Sequence, residues 1–249
     1  MSNITLSLGI TLLSGMSTTL GFFLIFIKTN DYKKILISSL AFASGVMLTI
    51  SITDLLPESL ILLNNNFNNV ISIFICIIFI ILGIILSMII DYYLPDNNYQ
   101  DKQLYKVGFI TMISIILHNI PEGIITFITS TKDITLGINL AIAIALHNIP
   151  EGISIAMPIF YSTKSKFKAF IYTFISGMSE VFGGFITLIF LKKYINNTIL
   201  GILFAIISGI MLNISLCKLL PESLKYNKRK IAFISFGIGI LFILIKFCK

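Results

Sequence analysis

Charge is the scarcest feature of this 249-residue chain, since 12% of its residues are charged and 56% are hydrophobic. A soluble domain carries about twice that share of charged residues, so the composition excludes a soluble globular protein. Alternating strands of about ten residues are absent, which excludes an outer-membrane barrel. Apolar runs of roughly 18 or more residues recur instead, and each can cross a hydrocarbon core about 30 Å thick at a rise of about 1.5 Å per residue. The sequence therefore predicts an all-α polytopic membrane protein.

Cysteine is also rare, and tryptophan is absent. The three cysteines form no CxxC pair, which argues against a disulfide framework and against a thiolate metal site. No GxxxxGK[ST] motif occurs, so ATP is not an expected partner. The formal net charge of +7 comes from lysines and arginine in short loops, where basic residues set membrane topology, so nucleic acid is not an expected partner either.

Polar breaks divide the chain into eight predicted spans. Their approximate limits are 4–27, 35–63, 70–93, 105–130, 134–160, 168–191, 198–224 and 231–248. The intervening loops are too short to hold a further domain, so residues 1–249 are predicted to form a single transmembrane transporter domain.

Lysine and arginine are distributed unequally between the two sides of this arrangement. The loops after spans one, three, five and seven carry twelve of them, against five on the opposite side. The positive-inside rule places the richer side in the cytoplasm and hence both termini outside.

Three pairs of segments repeat within the chain. SGVMLTISITDLLPESL (44–60) resembles SGIMLNISLCKLLPESL (208–224), SGMSTTLGF (14–22) resembles SGMSEVFGGF (176–185), and HNIPEG occurs at 118–123 and 147–152. The partners are separated by an odd number of spans and so cross the membrane in opposite directions. This is the signature of an inverted-topology repeat, which in secondary transporters places the site near the midplane. Spans three and eight show no clear alignment.

The two HNIPEG copies contain both histidines of the chain. His, Asn and Glu at i, i+1 and i+4 can face one point from a helix. The first set is His118, Asn119 and Glu122, and the second is His147, Asn148 and Glu151. Both motifs lie near the middle of antiparallel spans, so the two sets are expected to meet at one depth.

A third deep carboxylate, Glu180, lies in span six. Each carboxylate at the bilayer centre costs about 2.5–3.5 kcal/mol on insertion scales, and no lysine or arginine lies at the same depth to pair with the three. Imidazoles and carboxylates suit a divalent transition metal. The seven ligands exceed one tetrahedral site, so two adjacent metals bridged by Glu122 and Glu151 are predicted. The alternative is buried polar residues that join helices.

A second polar stripe follows one face of spans two and seven. We interpret it as lining the vestibules of a transport pathway. For Glu58 and Glu222 an alternative is that they are ordinary polar residues at the ends of their helices. The stripe comprises Met47, Ser51, Asp54 and Glu58, with Met211, Ser215, Lys218 and Glu222 at the matching positions. Lys218 is the one basic residue within it, and it either tethers Glu222 or repels a metal ion.

These motifs together resemble the ZIP (Zrt/Irt-like) metal transporters, in particular the bacterial ZupT-like members. The resemblance covers essentially the whole chain. It implies eight helices in a 3+2+3 arrangement, in which spans one, four, five and six move against two, three, seven and eight. It also implies a homodimer in the cell membrane. The implied binuclear site has His118, Glu122, His147 and Glu151 at one position and Asn119, Glu122, Asn148, Glu151 and Glu180 at the other. The 91–106 loop lacks the histidines of many relatives, which puts metal sensing there in doubt.

The predicted function is transport of divalent cations, chiefly zinc uptake into the cytoplasm, with Fe²⁺, Mn²⁺, Co²⁺ and Cd²⁺ as further substrates. The chain is not expected to be an enzyme or to hold an organic cofactor. One alternative is a membrane metalloenzyme, a hydrolase or di-iron oxidase, that uses the same ligands with a bound water. A scaffold protein with a structural metal is another.

Overall fold

The computed structural model describes residues 2–27, 31–93, 102–191, 196–226 and 228–245, and within them every regular element is helical. We number eight helices in chain order. They are α1 (Ser2–Leu20, extended by a 3₁₀ segment Gly21–Phe26), α2 (Tyr32–Ile50, a π-helical turn Ser51–Leu55, then Leu56–Asn64), α3 (Asn69–Tyr93), α4 (Lys102–Lys132), α5 (Ile134–Thr163), α6 (Lys166–Ile186, then a π-helical turn Thr187–Leu191), α7 (Asn197–Ile214, a π-helical turn Ser215–Leu219, then Leu220–Leu224) and α8 (Arg229–Leu244).

Seven of the described helices, α1 to α7, are long and apolar enough to cross a membrane. The most apolar is α3, whose span Asn69–Ile90 has a mean hydropathy of 3.4 and only 17% of its best window buried, as expected for a helix that faces lipid. Helix α8 has 16 described residues, which is about 24 Å at 1.5 Å per residue. The chain is therefore a polytopic membrane protein.

Side-chain caps fix where several helices begin. A capping oxygen that accepts from the backbone N–H three residues later replaces a hydrogen bond that the first turn lacks. The caps are Asp31 before α2, Asp133 before α5, Ser165 before α6 and Asn196 before α7. The polar breaks in the sequence thus coincide with helix starts, whereas Pro121 and Pro150 lie inside continuous helices.

The helices group into two compact units. Unit 1 contains α1, α5, α6 and the part of α4 from Thr111 onward. Unit 2 contains α2, α3, α7, α8 and the first residues of α4, Lys102–Ile110. Apart from the start of α4, this is the same grouping of spans that the resemblance implies.

Within unit 2, helices α2 and α7 make one serine contact twice. The Ser44 hydroxyl lies 3.0 Å from the Ser215 hydroxyl and donates to the Ser215 carbonyl at 2.9 Å. The Ser208 hydroxyl donates to the Ser51 carbonyl at 3.3 Å. In the repeated segments Ser44 corresponds to Ser208 and Ser51 to Ser215. The hydrogen bond from Ser44 to the Ser215 carbonyl is therefore repeated by the bond from Ser208 to the Ser51 carbonyl.

The helical irregularities of α2 and α7 also correspond. A π-helical turn occupies Ser51–Leu55 in one and Ser215–Leu219 in the other, directly before the LPES sequence. Proline lacks an N–H, and its ring clashes with the carbonyl one turn earlier. A wider turn before Pro57 and Pro221 fits this requirement, and such bulges are often found at functional sites.

Helices α3 and α8 pack on this pair through glycines that leave no space for a side chain. A Cβ built on Gly45 would lie 2.2 Å from the Phe236 carbonyl of α8, and one on Gly209 would lie 2.1 Å from the Ile80 carbonyl of α3. The reverse contacts join Gly239 with the Phe42 carbonyl and Gly83 with the Ile206 carbonyl. Helix α8 therefore contacts α2 as α3 contacts α7.

Candidate metal centre

The two HNIPEG segments lie on α4 and α5 within unit 1, and their side chains converge. The Nε2 atom of His147 lies 2.9 Å from Oε1 of Glu122, and Nε2 of His118 lies 3.1 Å from the same oxygen. These three residues offer ligand atoms that all lie within 4.8 Å of one another, an arrangement that could hold a metal ion. His118 and Glu122, which are at i and i+4, therefore lie on one face of α4.

Glu151 completes this cluster from α5. Its Oε1 atom lies 3.5 Å from Nε2 of His118, and the residue is fully buried. Ligand atoms about 2.1 Å from a tetrahedral zinc lie roughly 3.4 Å from one another. The separations of 2.9, 3.1 and 3.5 Å are close to that value. The residues whose ligand atoms all lie within 4.8 Å of one another are His118, Glu122 and His147, and Glu151 adjoins them through His118.

The two asparagines are oriented by backbone carbonyls. Asn119 donates from Nδ2 to the Ser176 carbonyl at 3.0 Å, and Asn148 donates from Nδ2 to the Ser14 carbonyl at 3.2 Å. A carbonyl only accepts, so the amide oxygens point the other way. Both Oδ1 atoms are buried without a hydrogen-bond partner, which leaves them available as ligands.

Glu180 reaches the same region from α6. Its Oε2 atom accepts a 2.9 Å hydrogen bond from Asn148, and its Oε1 atom has no partner. Thr18 on α1 stands at the corresponding position of the repeat and has a buried hydroxyl that also lacks a partner. The two sides of the cluster therefore differ by one carboxylate.

Buried polar atoms without partners are concentrated here. Most buried side-chain polar atoms in proteins have a partner, so each exception requires an explanation. In the described part of the chain the unpartnered atoms of this cluster are both ring nitrogens of His118, Asn119 Oδ1, Glu122 Oε2, Asn148 Oδ1, both Glu151 oxygens and Glu180 Oε1. A bound cation would satisfy the oxygens, whereas a purely structural polar contact leaves them unsatisfied.

Close helix crossings bring the four helices to this point. A Cβ on Gly123 would lie 1.8 Å from the Glu180 carbonyl, and one on Gly152 would lie 1.8 Å from the Thr18 carbonyl. Gly15 and Gly177 likewise meet each other's carbonyl at 2.5 Å. The sequence shows the repeated Ser-Gly-Met segments, but it does not show that Ser14 and Ser176 accept from the asparagines, because their role rests on backbone atoms.

Comparison with known proteins agrees with this geometry. The profile of the family described as "ZIP Zinc transporter" matches residues 94–245. A protein named "Zinc transporter ZupT" from Clostridium perfringens is 36% identical over 267 residues, which cover 93% of this chain and 91% of the relative. The chain belongs to the ZIP zinc transporter family.

Other relatives of the same name are almost as similar. The Streptococcus mutans protein is 36% identical over 90% of this chain and 89% of its own length. The Campylobacter jejuni protein is 34% identical over 88% and 87%, respectively. Membership of a transporter family confirms the predictions that the chain resembles ZIP proteins and that it is not an enzyme.

The predicted pathway residues lie apart in sequence from this cluster, on the α2 and α7 helices of unit 2. Met47, Ser51, Met211 and Ser215 are buried, and the two serines contribute to the contacts between α2 and α7 already described. Their role in ZIP transport stays a prediction. The wider turns that begin at both serines are the local feature that the sequence did not reveal.

The acidic residues of the stripe differ in exposure. Glu58 is exposed and Asp54 half-buried. Glu222 is buried, and its Oε2 atom lies 2.5 Å from Nζ of Lys225. Lys225 is thus a cation that contacts Glu222, and the role of Lys218 stays a prediction. Residues 94–101 of the 91–106 loop lie outside the described residues, and its remaining residues belong to the end of α3 and the start of α4.

Proposed function

We propose that this ZIP family member transports divalent transition-metal ions, chiefly zinc, into the cytoplasm through the cluster on α4, α5 and α6. The observation that carries the proposal is the convergence of the buried side chains of His118, Glu122 and His147, whose ligand atoms all lie within 4.8 Å of one another, with the buried Glu151 carboxylate 3.5 Å from His118. The names of the relatives, which describe them as zinc transporters, support zinc as the substrate. Nitrogen and oxygen ligands also suit Fe²⁺, Mn²⁺, Co²⁺ and Cd²⁺.

The proposed site has two adjacent positions that share Glu122 and Glu151. His118 and His147 complete the first position. Asn119, Asn148 and Glu180 complete the second, and their unpartnered oxygens support this assignment. Two divalent ions carry four positive charges, whereas the three carboxylates together carry three negative charges. The metal ions would therefore offset the desolvation of three buried carboxylates, each of which costs about 2.5–3.5 kcal/mol on insertion scales.

We infer that the transporter has eight spans in an inverted repeat with the 3+2+3 arrangement. The reciprocal serine contacts between α2 and α7 support this, as do the matching glycine contacts of α3 and α8. These contacts also suggest that α3 and α8 form the fourth repeated pair, for which the sequences show no alignment. Residues 1–249 would then form one transporter domain.

The proposed location is the cell membrane, with both termini outside. The unequal lysine and arginine count supports this orientation. A homodimer is the expected assembly for a member of this family. In transport, the unit that contains the cluster, unit 1, would be the moving element.

A flux assay in proteoliposomes tests the function. Purified full-length protein should carry zinc and, at different rates, the other divalent ions in a panel, with and without a proton gradient. Glu122→Gln preserves the side-chain shape but removes the charge shared by both positions, and His147→Ala removes an imidazole. Both variants should lose zinc flux.

Thr126→Val is a matched control on the same helix one turn later, since Thr126 is buried and without a partner and valine has a similar shape. This control should transport like the unaltered protein. Wild-type flux in Glu122→Gln would contradict the site assignment. Hydrolytic or oxidative turnover of lipid without metal flux would favour the metalloenzyme alternative.

A further inference from the structure

The segment SGMS occurs twice in unit 1, at 14–17 on α1 and at 176–179 on α6. Its glycines bring the two helices together, because a Cβ on either Gly15 or Gly177 would lie 2.5 Å from the carbonyl of the other. Its first serines supply the carbonyls that accept from the asparagines of the metal centre. Neither observation accounts for the serine that both copies carry at the fourth position.

The fourth serines bond to the same two carbonyls as the asparagines. The Ser17 hydroxyl donates to the Ser14 carbonyl at 2.5 Å. The Ser179 hydroxyl donates to the Ser176 carbonyl at 2.6 Å. Both distances lie at the short end of the range for an O–H···O hydrogen bond. Each carbonyl thus accepts from a hydroxyl of its own helix and from an asparagine of another helix.

A hydroxyl bond of this kind changes the direction of a helix carbonyl. In an undisturbed α-helix the carbonyl points along the axis to the N–H four residues later. A serine hydroxyl that bonds back to the preceding turn competes with that N–H and bends the helix. A carbonyl turned away from the axis in this way faces the neighbouring helix, from which the asparagine approaches.

The asparagine oxygens depend on these two carbonyls. The nitrogen and the oxygen of an amide lie on opposite sides, so a bond to Nδ2 fixes the direction of Oδ1. The Oδ1 atoms of Asn119 and Asn148 are buried and have no hydrogen-bond partner in the described chain. The Asn148 amide also donates to the Glu180 carboxylate at 2.9 Å. A shift of the carbonyl would therefore displace an amide oxygen and, on one side, a carboxylate.

We propose that Ser17 and Ser179 are positioning residues of the metal centre. Each hydroxyl holds a helix carbonyl in the direction that the asparagine amide requires, so that the amide oxygen faces the second metal position before an ion binds. Ligands held in advance lose less freedom on binding, and the two hydroxyls thereby raise the zinc affinity of that position. The inference rests on the proposed function, since it concerns the second of the two proposed metal positions.

Titration calorimetry of purified full-length protein with zinc tests this role. Ser17→Ala/Ser179→Ala should weaken the second position about tenfold, the lower end of the usual loss when a group that orients a metal ligand is removed. Ser17→Thr/Ser179→Thr retains both hydroxyls and should keep the affinity of the unaltered protein. Ser179→Ala alone should lose about threefold, half of that loss in free energy, and it keeps the test decisive if the double variant does not fold.

The matched control is Thr11→Val/Thr173→Val. Thr11 on α1 donates to the Ser7 carbonyl at 2.9 Å. Thr173 on α6 donates to the Ala169 and Phe170 carbonyls at 3.0 and 2.9 Å. Both threonines are buried, and valine has a similar shape. The control removes the same kind of bond from the same two helices, away from the carbonyls that hold the asparagines, and should keep the zinc affinity.

A second background separates positioning from general stability. Glu180→Thr removes the carboxylate of the second position. In that background Ser17→Ala/Ser179→Ala should have no further effect on zinc affinity, because the position on which the serines act is already lost. A substitution that merely destabilises the protein lowers the affinity by the same factor in both backgrounds, and a double-mutant cycle distinguishes the two cases.

Three results would overturn the inference while leaving the proposed function intact. They are an unchanged zinc affinity in the alanine double variant, an equal loss in that variant and the valine control, and an equal loss with and without Glu180→Thr. Unaltered protein that binds no zinc would instead contradict the proposed function itself, and the inference with it.

Discussion

The side-chain amide of Asn148 joins two helices by donating to the Glu180 carboxylate on α6 at 2.9 Å and to the Ser14 carbonyl on α1 at 3.2 Å. One amide group thereby fixes the orientation of its own oxygen and of a neighbouring carboxylate. The remaining oxygens, Asn148 Oδ1 and Glu180 Oε1, are buried and unpartnered. Ligands oriented in this way before a metal ion binds lose less freedom on binding.

Replacement of Asn148 by alanine should therefore weaken zinc binding by roughly ten- to a hundredfold, the usual effect when a group that orients a ligand is removed. Titration calorimetry of the purified protein would measure this change. Asn213→Ala is a suitable control, because Asn213 is a buried asparagine of unit 2 that donates to the Ser87 hydroxyl. An equal loss of affinity in both variants would indicate general destabilisation.

An exchange between Thr18 and Glu180 tests the twofold relationship of the cluster. Glu180→Thr alone should abolish the second metal position and reduce zinc flux. The double variant Thr18→Glu/Glu180→Thr returns a carboxylate from the opposite helix, at the position that contacts Gly152 as Glu180 contacts Gly123. Flux should then recover in part. A double-mutant cycle in the proteoliposome assay gives the coupling energy between Thr18→Glu and Glu180→Thr. If the effects of the two substitutions on flux simply add, the twofold relationship of the two positions is contradicted.

The close helix crossings predict opposite effects for two glycine substitutions. A side chain at Gly123 would meet the Glu180 carbonyl, a backbone atom that cannot move away easily, so Gly123→Ala should lower the thermal unfolding midpoint and abolish flux. Gly9 on α1 has nothing within 4 Å of its Cβ position. Gly9→Ala should be neutral or stabilising, by up to about 1 kcal/mol from helix propensity. Destabilisation by both would contradict the crossing.

Transport should weaken as the medium becomes acidic. An imidazole must be neutral to bind a metal ion, so protons compete with zinc for His118 and His147. Histidine changes charge between about pH 8 and pH 5, and zinc flux should fall across that interval as pH decreases. Initial uptake rates over this range would measure it, and a flat profile would argue against histidine ligation.

The ion pair between Asp31 and Lys228 provides an internal control for that experiment. Lys228 hydrogen-bonds to Asp31, and this bond is the main reason that the pKa of Asp31 is lowered below its ordinary value. A lowered pKa means that the ion pair stabilises the protein above an ordinary aspartate pKa of about 3.9 and is lost only as pH falls further. It stays intact throughout the transport assay and does not contribute to the decline.

Much of the candidate site could be predicted from the sequence because its signal is chemical. His118, Glu122, His147 and Glu151 occur in a duplicated six-residue motif within apolar spans, where ionisable residues are costly. The spacing alone places each set on one helix face. The roles of Ser14 and Ser176 could not be predicted, because backbone carbonyls are present at every residue and only the crossing of α1 with α6 selects those two.

The sequence by itself determined the membrane-spanning helices, the repeated segments and the convergence of the two HNIPEG motifs. Only the tertiary structure decided which helices pack together through Gly45, Gly83, Gly209 and Gly239, namely α8 against α2 and α3 against α7. The physical reason lies in what each contact requires. Lipid-facing positions accept any large apolar residue, so α3 and α8 share no recognisable sequence, whereas a close crossing needs only a glycine beside a carbonyl.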